Sequence, residues 1–320
     1  MIHLLAINRV PGISGTTKRN IAELSTDAEG FVRLCANRAW LLGCLDSGRG
    51  RAAVERINRH TAEELCERAR EDASFCRMKG IHVLALGRDG YPALLSEISD
   101  PPFLLYVMGD PESFWEQCIG VVGTRQPSGL GRDAAAASGK ELAVNGCTVV
   151  SGLARGVDQC AHSGAVSAGG RTVAVLGSGI DRIYPAGGKK LIAGIVACGG
   201  AVVSEYAPGT PPAKFRFPER NRIITGLSKA VLVIEAPKKS GSLITADFCI
   251  DYNRELFFHS AGIASTVGVG ACSYLQDGAS YVDSAAQMLK ALGMPARESV
   301  SYPKSLAERL IDDLSVEEAA

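Results

Sequence analysis

Between residues 2 and 79 apolar side chains return every three or four positions, as in Leu41-Leu42-Cys44-Leu45, Ala53-Val54-Ile57 and Leu65-Cys66-Ala69, with Arg and Glu filling the remaining positions. At about 3.6 residues per turn this spacing places the apolar groups on one side of an α-helix. Residues 1–79 therefore predict a small all-helical domain. One interruption, Val10-Pro11-Gly12-Ile13-Ser14, has two readings: a plain helix–helix turn, or a hairpin that points the N–H groups of the next helix at a phosphate.

After Gly80 the period changes. Short β-branched runs at 81–86, 104–108, 118–122, 148–150, 172–176, 201–204, 231–235 and 255–259 alternate with helical stretches such as 132–145, which Gly146 closes, and 189–198, closed by Gly199-Gly200. Strand–helix alternation of this kind predicts an α/β domain, doubly wound and Rossmann-like, whose sheet is mostly parallel with helices on both faces. We place this domain at 80–295. Residues 296–320 end in an acidic stretch that predicts a tail or short helix, with no third globular domain.

Charge and cysteine content narrow the classes. Lys plus Arg and Asp plus Glu number 34 each in 320 residues, so a nucleic-acid site has to be a local concentration of cations. The ten cysteines form no C-x-x-C pair and have no His at zinc spacing, which predicts reduced packing residues and no metal. The first residues lack the basic-then-apolar order of a secretory signal, and no run reaches the ~18 apolar residues of a membrane span. The expectation is a cytoplasmic protein without membrane contact.

Open parallel sheets bind ligands beyond the carboxyl ends of their strands. There the sequence has Gly123-Thr124-Arg125-Gln126-Pro127-Ser128-Gly129, then Ser151-Gly152-Leu153-Ala154-Arg155-Gly156-Val157-Asp158, Gly177-Ser178-Gly179-Ile180-Asp181-Arg182, the 204–210 loop, and Ser240-Gly241-Ser242. Glycine lets backbone N–H groups approach an anion, hydroxyls add donors, and a following helix adds the positive end of its dipole. Together these loops predict a phosphate-binding rim. No G-x-x-x-x-G-K-[ST] occurs, and Arg182 stands where a dinucleotide fingerprint needs its third glycine, so neither a mononucleotide cradle nor a nicotinamide cofactor is expected. The densest basic segment is 211–222, where Lys214, Arg216, Arg220 and Arg222 surround Phe215 and Phe217 with one acid, Glu219. Cations that track a backbone and rings on which bases stack suit a single-stranded nucleic acid.

Catalytic patterns are weaker. Asp158 and His162 are four apart and share a helix face, as an acid–base pair or as a hydrogen-bonding device that steadies the helix start. Ser151 lacks the G-x-S-x-G elbow, and Glu235 has no His near it in sequence. The chain is read as a binding protein and not an enzyme.

The segments GYPALLSEISDPPFLLYVMGD, VVGTRQPSGLG, VVSGLARGVDQCAHSGAVSAGGRTVAVLGSGIDRIYP, SEYAPGTPP, FPERNRIITGLSKAVLVIEAPKKSGSLITA and DGASYV resemble, in order, the DNA processing protein A (Smf) family. The helical domain resembles the sterile-alpha-motif-like domain that precedes the Rossmann part in many members. The resemblance implies single-stranded DNA binding, protection of incoming DNA in natural transformation, and loading of a RecA-type recombinase from a homodimer. By motif it assigns DNA contact to Gly123 and Arg125, Gly152 and Arg155, Lys214, Phe217, Arg220, Asn221 and Arg222, and to Ser240 and Ser242. There are three departures. Arg216 replaces the usual Asn before Phe-Pro, Gly270-Ala271-Cys272-Ser273-Tyr274-Leu275 replaces Gly-Thr-Asn-x-Leu-Ile, and the 296–320 segment is not expected to form the winged helix of some members. Two rival functions remain. One is a nucleotide-phosphate hydrolase of the "lonely guy" type, whose P-G-G-x-G-T-x-x-E turn corresponds here only to 236–242 with no matching acid. The other is an interaction module without DNA binding.

Overall fold

The computed structural model describes residues 1–37, 42, 57–114, 117–263, 269–276 and 279–295. The helical period of the first part yields α1 (Ile2–Asn8), α2 (Gly15–Leu24), α3 (Ala28–Ala36) and α4 (Arg59–Met78). Each of the last three begins where a short polar side chain accepts an otherwise unpaired N–H: Ser14 from Thr17, Asp27 from Gly30 and Asn58 from Thr61. The predicted apolar positions Leu41, Cys44, Leu45, Ala53 and Val54, and the 296–320 tail, lie outside the described residues. The Val10–Ser14 turn is tied to α4 by Arg9, whose guanidinium grips the Asp72 carboxylate through two bonds of 2.7 and 2.6 Å.

Among the described residues nine strands form one sheet: β1 (Ile81–Ala85), β2 (Leu104–Gly109), β3 (Gln117–Val122), β4 (Cys147–Ser151), β5 (Thr172–Val175), β6 (Ala201–Ser204), β7 (Ala230–Val233), β8 (Glu255–His259) and β9 (Ser280–Val282). Their order is β1-β2-β6-β5-β4-β3-β7-β8-β9. The pairs β1–β2 and β2–β6 are antiparallel and the others parallel. The expected mostly parallel α/β sheet is present, with β9 added. That strand is three residues long, too short for a periodicity to reveal it.

The sheet is covered on both faces, which is why its central strands are almost wholly apolar. The principal helices are α5 (Gly129–Val144), α6 (Val157–Ser167), α7 (Lys189–Ala197), α8 (Arg216–Leu227), α9 (Gly241–Asp251) and α10 (Ala285–Ala291). Ile119, Val121, Val149 and Leu232 share a core with α5, α6 and α10. Val150, Val173, Val231 and Val233 pack with Ile223, Ile224 and Leu227 of α8. The N-terminal helices are not separate from this body: Leu5, Ile7, Ile21 and Phe31 belong to one buried cluster with Leu104, Tyr106, Ala174 and Val202 of the sheet. Helices α5 and α6 cross unusually closely. A Cβ on Gly139 would sit 2.1 Å from the Ala161 carbonyl oxygen, and one on Gly164 would sit 2.0 Å from that of Ala136.

The described cysteines with free thiols are buried or half-buried, consistent with packing residues. Among the described residues no helix is long and apolar enough to cross a membrane.

Candidate functional site

The sheet order fixes where a ligand site opens. From β3 the chain winds outward through β4, β5 and β6, and from β7 it winds the other way through β8 and β9. The loops leaving β3 and β7 therefore diverge, and the crevice between them is the switch point at which such sheets bind ligands.

One buried acid shapes the first loop. The Glu235 carboxylate, beyond the end of β7, accepts the Ser128 N–H at 2.8 Å and the Ser128 hydroxyl at 2.6 Å, while its carbonyl accepts the Thr124 N–H at 2.8 Å. Ser128 in turn caps α5 by accepting from Gly131 at 3.0 Å, so α5 starts at Gly129, three residues before the apolar period predicts. Gly123 is needed because a Cβ there would lie 2.7 Å from Val157. Arg125, held on this loop but exposed, places its guanidinium 5.5 Å over the Phe217 ring.

A second buried acid holds the loop after β4. Asp158 accepts the Gly152 N–H at 3.1 Å and the Ala154 N–H at 3.3 Å. Burial pushes its carboxyl up to about 6, and the nearby Arg220 charge and these backbone bonds limit the rise. His162 instead faces Thr172, with Nδ1 2.6 Å from the Thr172 hydroxyl. Asp158 thus steadies the loop and helix start, and it does not form an acid–base pair with His162. The N–H of Gly152 is occupied, so Gly152 serves another need: a Cβ there would stand 2.1 Å from Arg220 Nη1. Ser151 donates to the Val121 carbonyl at 2.6 Å and is fully buried.

The basic segment differs from the expected loop. From Arg216 onward it is helix α8, because Pro218 falls in the first turn, where no intrahelical N–H is required. Helical geometry splits its cations between two sides. Arg220 is buried beneath the 152–156 loop, donates through Nη1 to the Val175 carbonyl, and leaves Nε without a hydrogen-bond partner. Burial lowers its pKa to about 10, against the attraction of Asp158. Phe217 packs beside Tyr184, ring centroids 5.4 Å apart, and the close approach of Gly177 to Phe217 accounts for a glycine that otherwise suggests a dinucleotide loop. Asn221 donates to the Gly241 carbonyl at 3.1 Å and pins the loop after β7. There Ser240 caps α9, its hydroxyl 2.7 Å from that of Ser242.

Arg222 goes elsewhere. Its guanidinium meets both Glu205 carboxylate oxygens, at 2.7 and 2.6 Å, and its Nε donates to the Asp100 carbonyl at 3.0 Å. Burial works against its charge, but Glu205 raises its pKa well above the ordinary value. Arg222, which the resemblance assigns to DNA contact, does not line the crevice: it stands two positions from Arg220, which on a helix means the other side.

The crevice comprises two adjoining cavities. One, of about 270 Å³, lies between Arg125, Gly152, Arg155, Tyr184, Phe217 and Arg220. The other, of about 690 Å³, continues past Lys214, Asn221, Lys238, Lys239 and Ser240. The structure thus brings together Gly123, Arg125, Gly152, Arg155, Lys214, Phe217, Arg220, Asn221, Ser240 and Ser242, and leaves out Arg222. Arg182, beside Asp181, and the 204–210 loop are not among the lining residues. Sequence reasoning missed Tyr184, Lys238 and Lys239. The two lysines follow a strand and were legible as cations, whereas nothing local marks Tyr184 as the neighbour of Phe217.

The family model for DNA recombination-mediator protein A matches residues 82–293. The chain belongs to that family. Protein Smf of Synechocystis is 42% identical over 207 residues, which are 63% of this chain and 52% of that protein, so the chain spans about half the length of this relative. DNA processing protein DprA of Bacillus subtilis is 37% identical over 217 residues, 68% of this chain and 73% of that protein. Among solved structures, DNA processing protein A (DprA) from Streptococcus pneumoniae has a TM-score of 0.72 and 28% identity, covering 93% of this chain and 99% of that one. The Helicobacter pylori protein, described for its unique single-stranded DNA binding mode, has a TM-score of 0.59 and 29% identity, covering 66% of this chain and 95% of that one.

Proposed function

We propose that this chain binds single-stranded DNA in the switch-point crevice, as a recombination mediator that performs no covalent chemistry. The observation that carries the reading is the pairing of stacking surface with charge: Phe217 and Tyr184 line the crevice, and Arg125, Arg155, Lys214, Lys238 and Lys239 surround it. Bases stack on such rings while cations neutralise phosphates in succession. The non-catalytic reading is supported by the commitment of the acids. Glu235 and Asp158, the buried acids beside the crevice, hold the Gly123–Ser128 and Gly152–Ala154 segments.

Family membership supports the finer reading as well: a cytoplasmic homodimer that protects incoming DNA in natural transformation and loads a RecA-type recombinase. The experiment is fluorescence anisotropy with labelled oligo-dT across a salt series. Arg125→Ala should reduce the salt slope by about one unit, and Phe217→Ala should weaken binding about fivefold or more. Undiminished affinity in the combined Arg125, Lys214 and Phe217 variant would remove the reading, and release of free base from a nucleoside monophosphate would replace it with the hydrolase. A gel shift with recombinase added tests the mediator role.

A further inference from the structure

The 214–217 segment sends its side chains into two different clefts. Lys214 and Phe217 line the switch-point crevice, whereas Phe215 and Arg216 line another cleft of about 710 Å³, between the Pro11-Gly12 turn of the helical part and α8. Phe215 is 59% exposed, an unusual state for a ring that could have packed in the core. The Arg216 guanidinium lies 5.3 Å from that ring and 5.1 Å from the Tyr206 ring, which leaves a cation sandwiched at the edge of an aromatic wall.

The charges of this cleft decide what it would hold. Its acids are engaged: Glu205 by the Arg222 guanidinium at 2.6 Å, Asp100 by the same guanidinium at 3.5 Å, and Glu219 by the Tyr206 hydroxyl at 3.1 Å. Lys18 of α2 donates one of the three bonds an ammonium can make, to the Asn8 carbonyl at 2.8 Å, and burial lowers its pKa to about 8 against the attraction of Glu205 and Asp100, which leaves it a cation at neutral pH. Arg216 donates to the Pro211 carbonyl and lies against two rings, but its guanidinium has five donors, so the cations with donors to spare are Lys18 and Arg216, beside one exposed ring. An anion joined to a flat ring answers them, and a nucleotide unit has that chemistry. Phe215 and Phe217 are two residues apart, so at most about 7 Å of chain separates the two walls, the length of about two stacked nucleotides.

We propose that a DNA strand seated in the switch-point crevice continues over Phe215 and Arg216 into this second cleft, so that the helical part of the chain, through Lys18, supplies half of a bipartite site. The inference rests on the proposed function. The strand stacks a base on Phe215, and the phosphates on either side meet Arg216 and Lys18.

The test compares oligo-dT of about 5 and about 15 nucleotides by anisotropy, using the full chain, the double variant Phe215→Ala/Arg216→Ala, and Phe217→Ala. Both substitutions in the double variant remove exposed or half-buried side chains, so folding is not at stake. The loss in the double variant should be at least about fivefold greater for the long oligonucleotide than for the short one, while Phe217→Ala weakens both. Equal loss at the two lengths, or no loss at the long one, overturns the bipartite site even when Phe217→Ala behaves as expected. Failure of the unsubstituted chain to bind either oligonucleotide overturns the proposed function first, and the second cleft with it.

Discussion

His162 is fully buried, and burial, with the Arg220 charge adding to it, holds its imidazole down to about 3. In the unfolded chain it titrates near 6.5. Between those values the unfolded chain carries a proton that the folded chain refuses, so stability is lost as pH falls through that window. Asp158 acts in the opposite sense. Its folded carboxyl is raised from 3.8 to about 6, so its stabilising contribution is full below the lower value and is lost as pH rises through the upper one. His162→Gln, which keeps a partner for Thr172, should therefore lose less Tm than the parent between pH 6.5 and pH 4, and parallel curves would contradict the assignment. Arg222 gives a second test at this scale. Removing it strands Glu205, so Arg222→Ala should cost about 3 kcal/mol in urea unfolding. It should leave the salt slope unchanged for an oligonucleotide short enough to fill only the switch-point crevice, whose lining does not include Arg222, whereas a phosphate contact there would lower that slope by about one unit.

At the scale of elements, α8 shows how far a sequence pattern reaches and where it stops. Four cations and two rings within twelve residues marked the 211–222 segment correctly as the densest basic stretch. Their partition could not be read, since it depends on where the helix begins, and Pro218 disguises a first turn as a loop. The loops after β3 and β4 behave similarly. Glycine, serine and arginine at the strand ends were visible, but the acids that hold these loops, Glu235 and Asp158, lie far from some of their partners: Glu235 is 107 residues from Ser128. The α5–α6 crossing is a purely geometric element. Gly139 has no space for a methyl group against the Ala161 carbonyl, so Gly139→Ala should force the helices apart at a cost of about 2 kcal/mol in chemical denaturation. A neutral result would mean that the crossing is looser than described.

At the scale of the whole molecule, the alternation of short apolar runs and helices specified a parallel doubly wound sheet, because strands buried on both faces have no polar side to display. The order of those strands was not legible, and the order is what makes the site: β3 and β7 are neighbours although 113 residues separate Gln117, where one begins, from Ala230, where the other begins. Packing of the N-terminal helices on Leu104, Tyr106, Ala174 and Val202 likewise joins two regions of different sequence texture into one core. The central claim is that single-stranded DNA occupies the crevice where the two halves of the sheet diverge. Photo-crosslinking of a substituted oligo-dT to the intact chain, followed by mapping of the modified peptides, tests it most directly. The account predicts adducts at Tyr184 and Phe217, whose rings line the crevice. Adducts confined to the α5, α6 or α10 surface would contradict it.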